Sequence, residues 1–402
     1  LSETTSSNGL ILTKRWTYDA LGRPLSFTDT DGLTTTYEYV PATASRGEIV
    51  KKILPGDFTT ITESYFDGQV KSVTGTAQVP VFYDYGVDSA TNCSWVKKSY
   101  GSENSAKWEK TYTDRAGNIS KVEKSGFNGQ IVVEQNFYNA AGQLIKTSKT
   151  GEASKLFVYD ELGNLYRFGL DVDNSGVLEL ASSDRIQEKS YGYTKDSTGV
   201  FFVQSSLVYG IKNSSSSKII EAEKTQLTNL PNGVNSLKYT TDRFGNVTET
   251  KVSVNRSGKT VITEILSPDS TVPAQSVAVN ELKTSERSKT NLTTTYTYDA
   301  LGRLTGVTNP RTGTSTVSYY TSGVGKIGKR YMVTNAAGNT TRYDYDSTTG
   351  RKISERNALG KYSRFAYNSY GQVTKVWGES EYPLEFAYDQ MGRKVAQTTY
   401  RD

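Results

Sequence analysis

The sequence of 402 residues contains no histidine, a single cysteine and only two methionines. Without histidine, histidine-based acid–base chemistry, serine–histidine–aspartate triads and most zinc sites are excluded. Cys93 has no second cysteine with which to form a disulfide, so we interpret it as a packed or inert thiol. No apolar run reaches 18 residues, so no transmembrane helix is predicted.

The sequence also lacks any block of one charge. It has 47 basic and 42 acidic residues, a net charge of +5, and its runs are no longer than pairs such as Lys51-Lys52. A nucleic-acid-binding protein usually concentrates lysine and arginine on one face. We therefore predict a mixed, solvated surface and no nucleic-acid partner.

Tyrosine and glycine are abundant, and many of them belong to a recurring unit. The unit is Tyr or Thr, then Asp or Asn, two variable residues and Gly, and we identify nine copies of it. Its residues are Tyr18, Asp19 and Gly22; Asp114 and Gly117; Tyr138, Asn139 and Gly142; Tyr159, Asp160 and Gly163; Asp242 and Gly245; Tyr298, Asp299 and Gly302; Asn335 and Gly338; Tyr367, Asn368 and Gly371; and Tyr388, Asp389 and Gly392. Two variants start at Tyr345, with one residue inserted, and at Arg356.

The unit has the chemistry of a tight turn. Asp or Asn at the first position of a type I turn accepts hydrogen bonds from later backbone amides, and Gly at the fourth position tolerates a left-handed backbone. We therefore expect a positive φ at Gly302 and Gly392, and solvent-facing side chains at the variable positions Ala300 and Gln390. These motif residues are predicted to be structural, with no catalytic, cofactor-binding or metal-binding role.

Strands flank each turn. Aromatic residues alternate with polar ones before the turn, as at Tyr296 and Tyr298, which is typical of a half-buried strand. Motif starts at 334, 345, 356 and 367 lie 11 residues apart, which predicts one short strand per turn. The predicted fold class is all-β, a tandem array of hairpins in one long antiparallel sheet. Successive motif tyrosine rings are expected to stack in a ladder.

The array is uneven along the chain. Residues 1–170 and 293–402 carry dense motifs, whereas only the copy at residue 241 is clear between 171 and 292. We interpret residues 1–402 as a single array whose middle part has longer, diverged strands and surface loops. A separate domain inserted at 171–292 is the alternative.

The strings YDALGR at Tyr18 and Tyr298, YDELGN at Tyr159 and YDQMGR at Tyr388 resemble the Rhs/YD-repeat family. That family includes bacterial rearrangement-hot-spot proteins, the C component of insecticidal toxin complexes, wall-associated polymorphic toxins and teneurins. The resemblance implies a β-sheet strip that spirals into a hollow shell, which in bacterial members encloses a C-terminal toxin domain. Family autoproteolysis depends on aspartates of a segment rich in Asp, Pro and Gly, and no residue here matches that segment.

The resemblance implies a non-catalytic scaffold, part of a shell that encapsulates or displays the toxin of a secreted or surface-exposed bacterial protein. The expected partners are the rest of its own chain, with this sequence a fragment between a delivery region and a toxin domain. The alternative is a cell-surface module that binds carbohydrate or mediates cell–cell adhesion. Neither interpretation requires a cofactor.

One loop has letters of a calcium site. Asp171, Asp173, Ser175 and Gly176 follow the opening of such a loop, with Glu179 at its ninth position. Ser182 stands at the twelfth position, where a bidentate Glu is expected. We therefore favour a polar turn and predict no metal at residues 171–176.

Overall fold

The computed structural model describes residues 1–7, 10–380, 382–389 and 391–400. Within them the chain forms 33 strands in one sheet, together with a single turn of 3-10 helix at Phe127–Gly129. Strands that follow one another in sequence pair antiparallel wherever their register is described. The predicted all-β fold of tandem hairpins is confirmed.

The strands before residue 172 are mostly short, with five to nine residues each. They are β1 (Ser2–Ser7), β2 (Leu10–Tyr18), β3 (Pro24–Thr28), β4 (Thr34–Val40), β5 (Ile49–Leu54), β6 (Phe58–Ser64), β7 (Val70–Thr74), β8 (Val81–Asp88), β9 (Cys93–Tyr100), β10 (Trp108–Thr113), β11 (Ile119–Ser125), β12 (Ile131–Tyr138), β13 (Leu144–Lys149), β14 (Ser154–Tyr159) and β15 (Leu165–Asp171).

The central strands include the longest of the described chain, with 12 residues in β16 and 11 in β17. They are β16 (Arg185–Asp196), β17 (Gly199–Tyr209), β18 (Lys218–Gln226), β19 (Ser236–Asp242), β20 (Val247–Asn255), β21 (Thr260–Leu266), β22 (Ala274–Val279) and β23 (Leu282–Arg287).

The remaining strands return to five to seven residues. They are β24 (Thr293–Tyr298), β25 (Leu304–Asn309), β26 (Gly313–Tyr319), β27 (Arg330–Thr334), β28 (Thr340–Tyr345), β29 (Lys352–Arg356), β30 (Tyr362–Tyr367), β31 (Val373–Gly378), β32 (Leu384–Tyr388) and β33 (Lys394–Thr399). Over residues 334–367 each turn is followed by one strand, as the spacing of 11 residues predicts.

Burial is shallow because the described chain forms one sheet. Its accessible surface is 24285 Å², against roughly 15,500 Å² for a compact monomer of 44.3 kDa. Among the described residues only eight hydrophobic side chains are buried, including Ile186 and Phe201. In β24 exposed and half-buried residues alternate, and Tyr296 and Tyr298 lie on the half-buried face.

The chain divides into two compact units. Unit 1 comprises Leu1–Gly86, Trp95–Lys110 and Thr297–Asp402, so it contains hairpins from both ends of the sequence. Unit 2 comprises Val87–Ser94 and Thr111–Tyr296. A small core of Leu156, Leu178 and Ile186 lies within unit 2.

Candidate functional site

The Asp-x-x-Gly turn is the feature that recurs throughout the described chain. In all nine copies the Gly N–H donates to the carbonyl of the Asp or Asn three residues earlier, at 2.9–3.1 Å. The nine glycines have φ between 74° and 87°, the left-handed region that other residues resist. Gly302 and Gly392, at 74° and 75°, therefore have the backbone that the turn model expects.

The motif carboxylate or amide caps this turn. Asp19 Oδ1 accepts the backbone N–H of both Leu21 and Arg23 at 2.9 Å. Asp160 repeats the pattern with Leu162 at 3.0 Å and Asn164 at 2.8 Å. Because the side chain satisfies two amides that the hairpin ladder leaves unpaired, it fixes the turn and the register of both strands.

The residue after the glycine completes the cap, a feature that our sequence analysis missed. Where the first residue is Asp, a donor follows the glycine: Arg303 Nε lies 2.8 Å from Asp299 Oδ2, and Asn164 Nδ2 lies 3.0 Å from Asp160 Oδ2. Where Asn139 is used, its Nδ2 donates to Gln143 Oε1 at 2.7 Å. The signal is visible in the sequence as Asp with Arg or Asn, against Asn with Gln at Asn139 and Asn368, while Asn335 is followed by Asn339.

These contacts lower the pKa of the motif aspartates. The backbone N–H of Arg393 and then its guanidinium hold the pKa of Asp389 at about 2. The Asn164 side chain holds the pKa of Asp160 below its usual value. At Asp299 burial opposes the effect, but the bonds to Arg303 outweigh it and the pKa is lowered. The motif aspartates are therefore ionised turn caps, and none has the raised pKa expected of a general acid at neutral pH.

Four motif tyrosines, Tyr138, Tyr159, Tyr367 and Tyr388, donate their hydroxyls to backbone carbonyls of the preceding unit. The hydroxyl of Tyr367 donates to Lys352 O at 2.7 Å, and that of Tyr388 donates to Val373 O at 2.7 Å. Tyr159 bonds to Leu144 O in the same way, at 2.9 Å. Each acceptor is the second residue after a turn glycine, so each tyrosine joins one unit to the previous one.

The same bond occurs at tyrosines that no motif identifies. Tyr39, Tyr85 and Tyr319 donate to carbonyls 15 residues earlier, at 2.8 Å. The six tyrosines whose acceptor is 15 residues earlier all lie 17 residues after a turn glycine, a spacing that could have been found in the sequence.

The predicted ladder of stacked tyrosine rings needs correction. Ring contacts join Tyr65 to Tyr85 and Tyr320 to Tyr345, each with centroids 6.1 Å apart. At the motif tyrosine Tyr367, however, the ring centroid lies 5.7 Å from the guanidinium carbon of Arg351, the residue after the preceding turn glycine. Tyr319, outside the motif, has the same arrangement with Arg303 at 4.2 Å. At these positions an arginine takes the place of the expected ring.

The acidic loop is held together by its own backbone. Asp171 is 1% exposed and accepts the N–H groups of Ser175 and Gly176, both at 3.0 Å. Asp184, which the sequence analysis did not include, accepts the N–H groups of Val172 and Glu179. These bonds account for the burial of both carboxylates.

The same loop contains a cluster of three acidic residues whose side-chain oxygens are close enough to share a metal ion. It is the only such cluster found among the described residues. The oxygens of Asp171, Asp173 and Asp184 lie within 4.8 Å of one another. Ser182, at the position of the missing bidentate Glu, donates its hydroxyl to Glu179 O at 2.8 Å instead. As described, the loop is a polar turn with capped carboxylates.

The remaining predicted positions are placed as follows. Ala300 is exposed, and Gln390 lies outside the described residues. Cys93 is buried, and Ser120 Oγ donates to its sulfur at 3.4 Å. No helix of the described residues is long and apolar enough to span a membrane.

Comparison with known proteins identifies the repeat and the fold. The RHS Repeat family matches residues 1–42 and 283–314. The crystal structure of TcdB2-TccC3-TEV is similar with a TM-score of 0.54 at 12% identity, over 96% of this chain and 19% of that chain. Those of TcdB2-TccC3-Cdc42 and of TcdB2-TccC3 without its hypervariable C-terminal region each give 0.51, at 12% and 11% identity and with the same coverages.

No curated protein matches the sequence. At 11–12% identity the structural similarity establishes the fold alone. This chain spans about a fifth of the length of those solved chains, 19% in each case.

Proposed function

Because this chain is a member of the Rhs/YD-repeat family, we propose that it is a non-catalytic segment of the wall of an Rhs-type shell. The shell would enclose or display a toxin or effector domain of an exported bacterial protein. The observation that carries this proposal is that the repeated residues have structural contacts. The Asp side chains cap turns, the Gly backbones form them, and Tyr hydroxyls bond one unit to the previous one.

The burial of the chain supports a wall. A compact enzyme of this mass would bury far more surface than one sheet does, and the eight buried hydrophobic residues of the described chain are few for its length. A wall has two faces, one towards its contents and one towards solvent or further protein. Half-buried tyrosines, which have an apolar ring and a polar hydroxyl, suit both.

The names of the similar structures support an enclosed or displayed domain. One is TcdB2-TccC3 without a hypervariable C-terminal region, and two include a further component, TEV or Cdc42. A scaffold followed by a variable region fits a role in which the repeats are constant and the cargo changes. Export from the cell, to the surface or the medium, is part of the same proposal.

Limited proteolysis of the parent polypeptide tests the enclosure. The full polypeptide that contains these repeats is digested intact, and the survival of the segment after the repeats is followed by mass spectrometry. We expect that segment to survive in the intact protein and to be cut in Gly302→Val, which strains a wall turn. Ala300→Ser, at the exposed neighbouring position, is the matched control and should leave protection unchanged.

Cleavage of the segment at equal rates in the intact protein and in Gly302→Val would contradict enclosure. A parent polypeptide with no domain beyond the repeats would contradict it as well, and would leave only the scaffold role. An enzymatic activity that survives repurification and disappears on one substitution in this chain would overturn the non-catalytic assignment.

A further inference from the structure

Within unit 1, turns from the two ends of the sequence are in direct contact. Asp31 lies in the turn between β3 and β4, and its carbonyl accepts the backbone N–H of Gly325 at 2.7 Å. Its carboxylate Oδ2 lies 3.0 Å from Lys329 Nζ. Gly325 and Lys329 belong to the connection between β26 and β27, almost 300 residues further along the chain. We call this line of contacts the seam.

The seam continues on the next hairpins. Arg351, which follows the β28–β29 turn, lies with its guanidinium carbon 4.7 Å from the ring centroid of Phe58, beside the β5–β6 turn. Lys107 lies between β9 and β10, and its Nζ is 3.8 Å from Oδ2 of Asp389 in the β32–β33 turn. In all three contacts a turn meets another turn 23 strands away, so the seam has a constant register.

The connection of residues 321–329 departs from the repeat turn at the place where it meets Asp31. Gly325 has a φ of 73°, and a Cβ there would lie 2.6 Å from Asp346 O, so the backbone approaches closely. Lys326 Nζ bonds to Asp344 Oδ1 at 2.7 Å. The hydroxyl of Tyr320, whose pKa burial raises to about 12, donates to Tyr343 O at 2.8 Å. The connection is therefore held by hydrogen bonds to the neighbouring strand β28, in addition to its contact with Asp31.

Lys329 links three elements. Besides Asp31, its ammonium donates to Gly350 O of the β28–β29 turn at 2.7 Å. Its side chain is 28% exposed and that of Asp31 is 14% exposed, so this ion pair is better shielded than most of those on the described surface. Shielded pairs with further hydrogen bonds contribute more than exposed ones, which are worth little.

We propose that residues 321–329 form a clasp that holds the seam closed, with the Lys329–Asp31 pair as its fastening contact. The seam opens as a unit when this contact is lost, while the strands on either side remain paired. The contacts of the clasp lie within one chain and are independent of the proposed function. The role of the clasp in keeping a wall closed rests on the proposed function.

A double-mutant cycle on the intact chain tests the clasp. Asp31→Asn keeps the acceptor that Leu33 N–H uses, at 3.1 Å, but removes the charge, and Lys329→Met keeps the length of the side chain. We expect each single change to speed hydrogen exchange of the Gly325 amide by about tenfold, as for coupled residues in contact. The double variant should exchange no faster than the faster single one, and β3 and β26 amides should be unchanged.

Lys238→Met in unit 2 is the matched control, because its pair with Glu223 has a similar length of 2.9 Å but neither residue takes part in the seam contacts. It should leave the Gly325 amide unchanged.

Unchanged exchange in both single variants would overturn the clasp, as would additive effects in the double variant or exchange at Gly325 that occurs only together with the strand amides. These outcomes are distinct from failure of the proposed function. Loss of protease protection for the cargo with an intact cycle would refute the wall and leave the clasp.

Discussion

The dense-repeat segments and the central segment hold the same sheet together in different ways. Around residues 334–367 strands of five or six residues alternate with capped turns. In the centre β16 and β17 run for 12 and 11 residues with one turn between them. Short strands have few cross-strand pairs, so a larger share of their order has to come from the turns.

Burial follows the same division. Phe201 and Ile186, each 1% exposed, lie in the central strands, and Leu237 is 3% exposed. The dense segments bury less deeply, with Cys93, Tyr112 and Leu156 at 6–7% and Val376 at 9% exposed. The comparison teaches that regular capped turns can stabilise the sheet where few side chains are buried. Where the motif is sparse, long strands and more deeply buried side chains provide the stability.

The largest effect is expected from the central core. Phe201 packs against Tyr239, with centroids 6.4 Å apart, and its ring lies 3.7 Å from Lys224 Nζ. Phe201→Ala should lower the free energy of unfolding by about 3–5 kcal/mol because it leaves a cavity. Phe244→Ala, at a side chain that is 73% exposed, is the control and should cost less than about 0.5 kcal/mol. Chemical denaturation followed by circular dichroism measures both, and equal losses would contradict the difference in burial.

Strain at a repeat turn should have the next largest effect. Gly302→Val places a β-branched residue at a φ of 74°, which should cost about 1–3 kcal/mol. The damage should spread to both sides of residue 302, whereas Gly392→Val, near the end of the described array, should fray locally. Hydrogen exchange measured hairpin by hairpin checks this, with Ala300→Ser as the control. If both glycines tolerate Val with unchanged protection, the turn model is wrong.

The pairing of the turn cap with the residue after the glycine predicts a smaller, chemical difference. Asp299→Asn turns an amide donor towards Arg303, which is itself only a donor, and should cost about 1 kcal/mol. Asp160→Asn should cost less than Asp299→Asn, because the Asn164 amide can rotate and accept. Thermal unfolding of the two variants compares them directly. A larger loss for Asp160→Asn would refute the pairing rule.

The smallest expected effect is a difference in acid stability between turns capped by aspartate and turns capped by asparagine. The folded pKa of Asp389 is about 2, below the roughly 3.9 of an unfolded aspartate. Its stabilising contribution is therefore complete above about pH 4 and is lost as the pH falls through about 2. The turn at Asn368, capped by an amide, should show no such change. Carboxyl NMR of labelled aspartate follows Asp389, and a titration midpoint near 3.9 would contradict the account.

Local features of the structure could be predicted from the sequence. The turn at Asp19 and Gly22 depends on residues within four positions of each other, and the strands follow from alternation next to it. The bond from Tyr367 to Lys352 O was missed, because it joins two units and depends on a spacing that we did not compare between turns.

Contacts across long separations could not be predicted. The pairing of Asp31 with Lys329 depends on the register of the whole intervening sheet, which no local pattern contains. Asp184 joins the acidic loop through the start of β16, outside the spacing of a calcium loop. The ring ladder was wrong at Tyr367 because Arg351, the residue after the preceding turn glycine, lies over the ring, a contact that the aromatic pattern alone does not show.

The central claim is that one continuous array, including residues 171–292, forms the wall. Hydrogen exchange of the intact chain across a denaturant series tests it most directly. We predict that β16–β23 lose protection in sequence order with their neighbours β15 and β24, as adjacent repeats do. A separate cooperative transition of residues 171–292, with β15 and β24 still protected, would contradict the single array and establish an inserted domain.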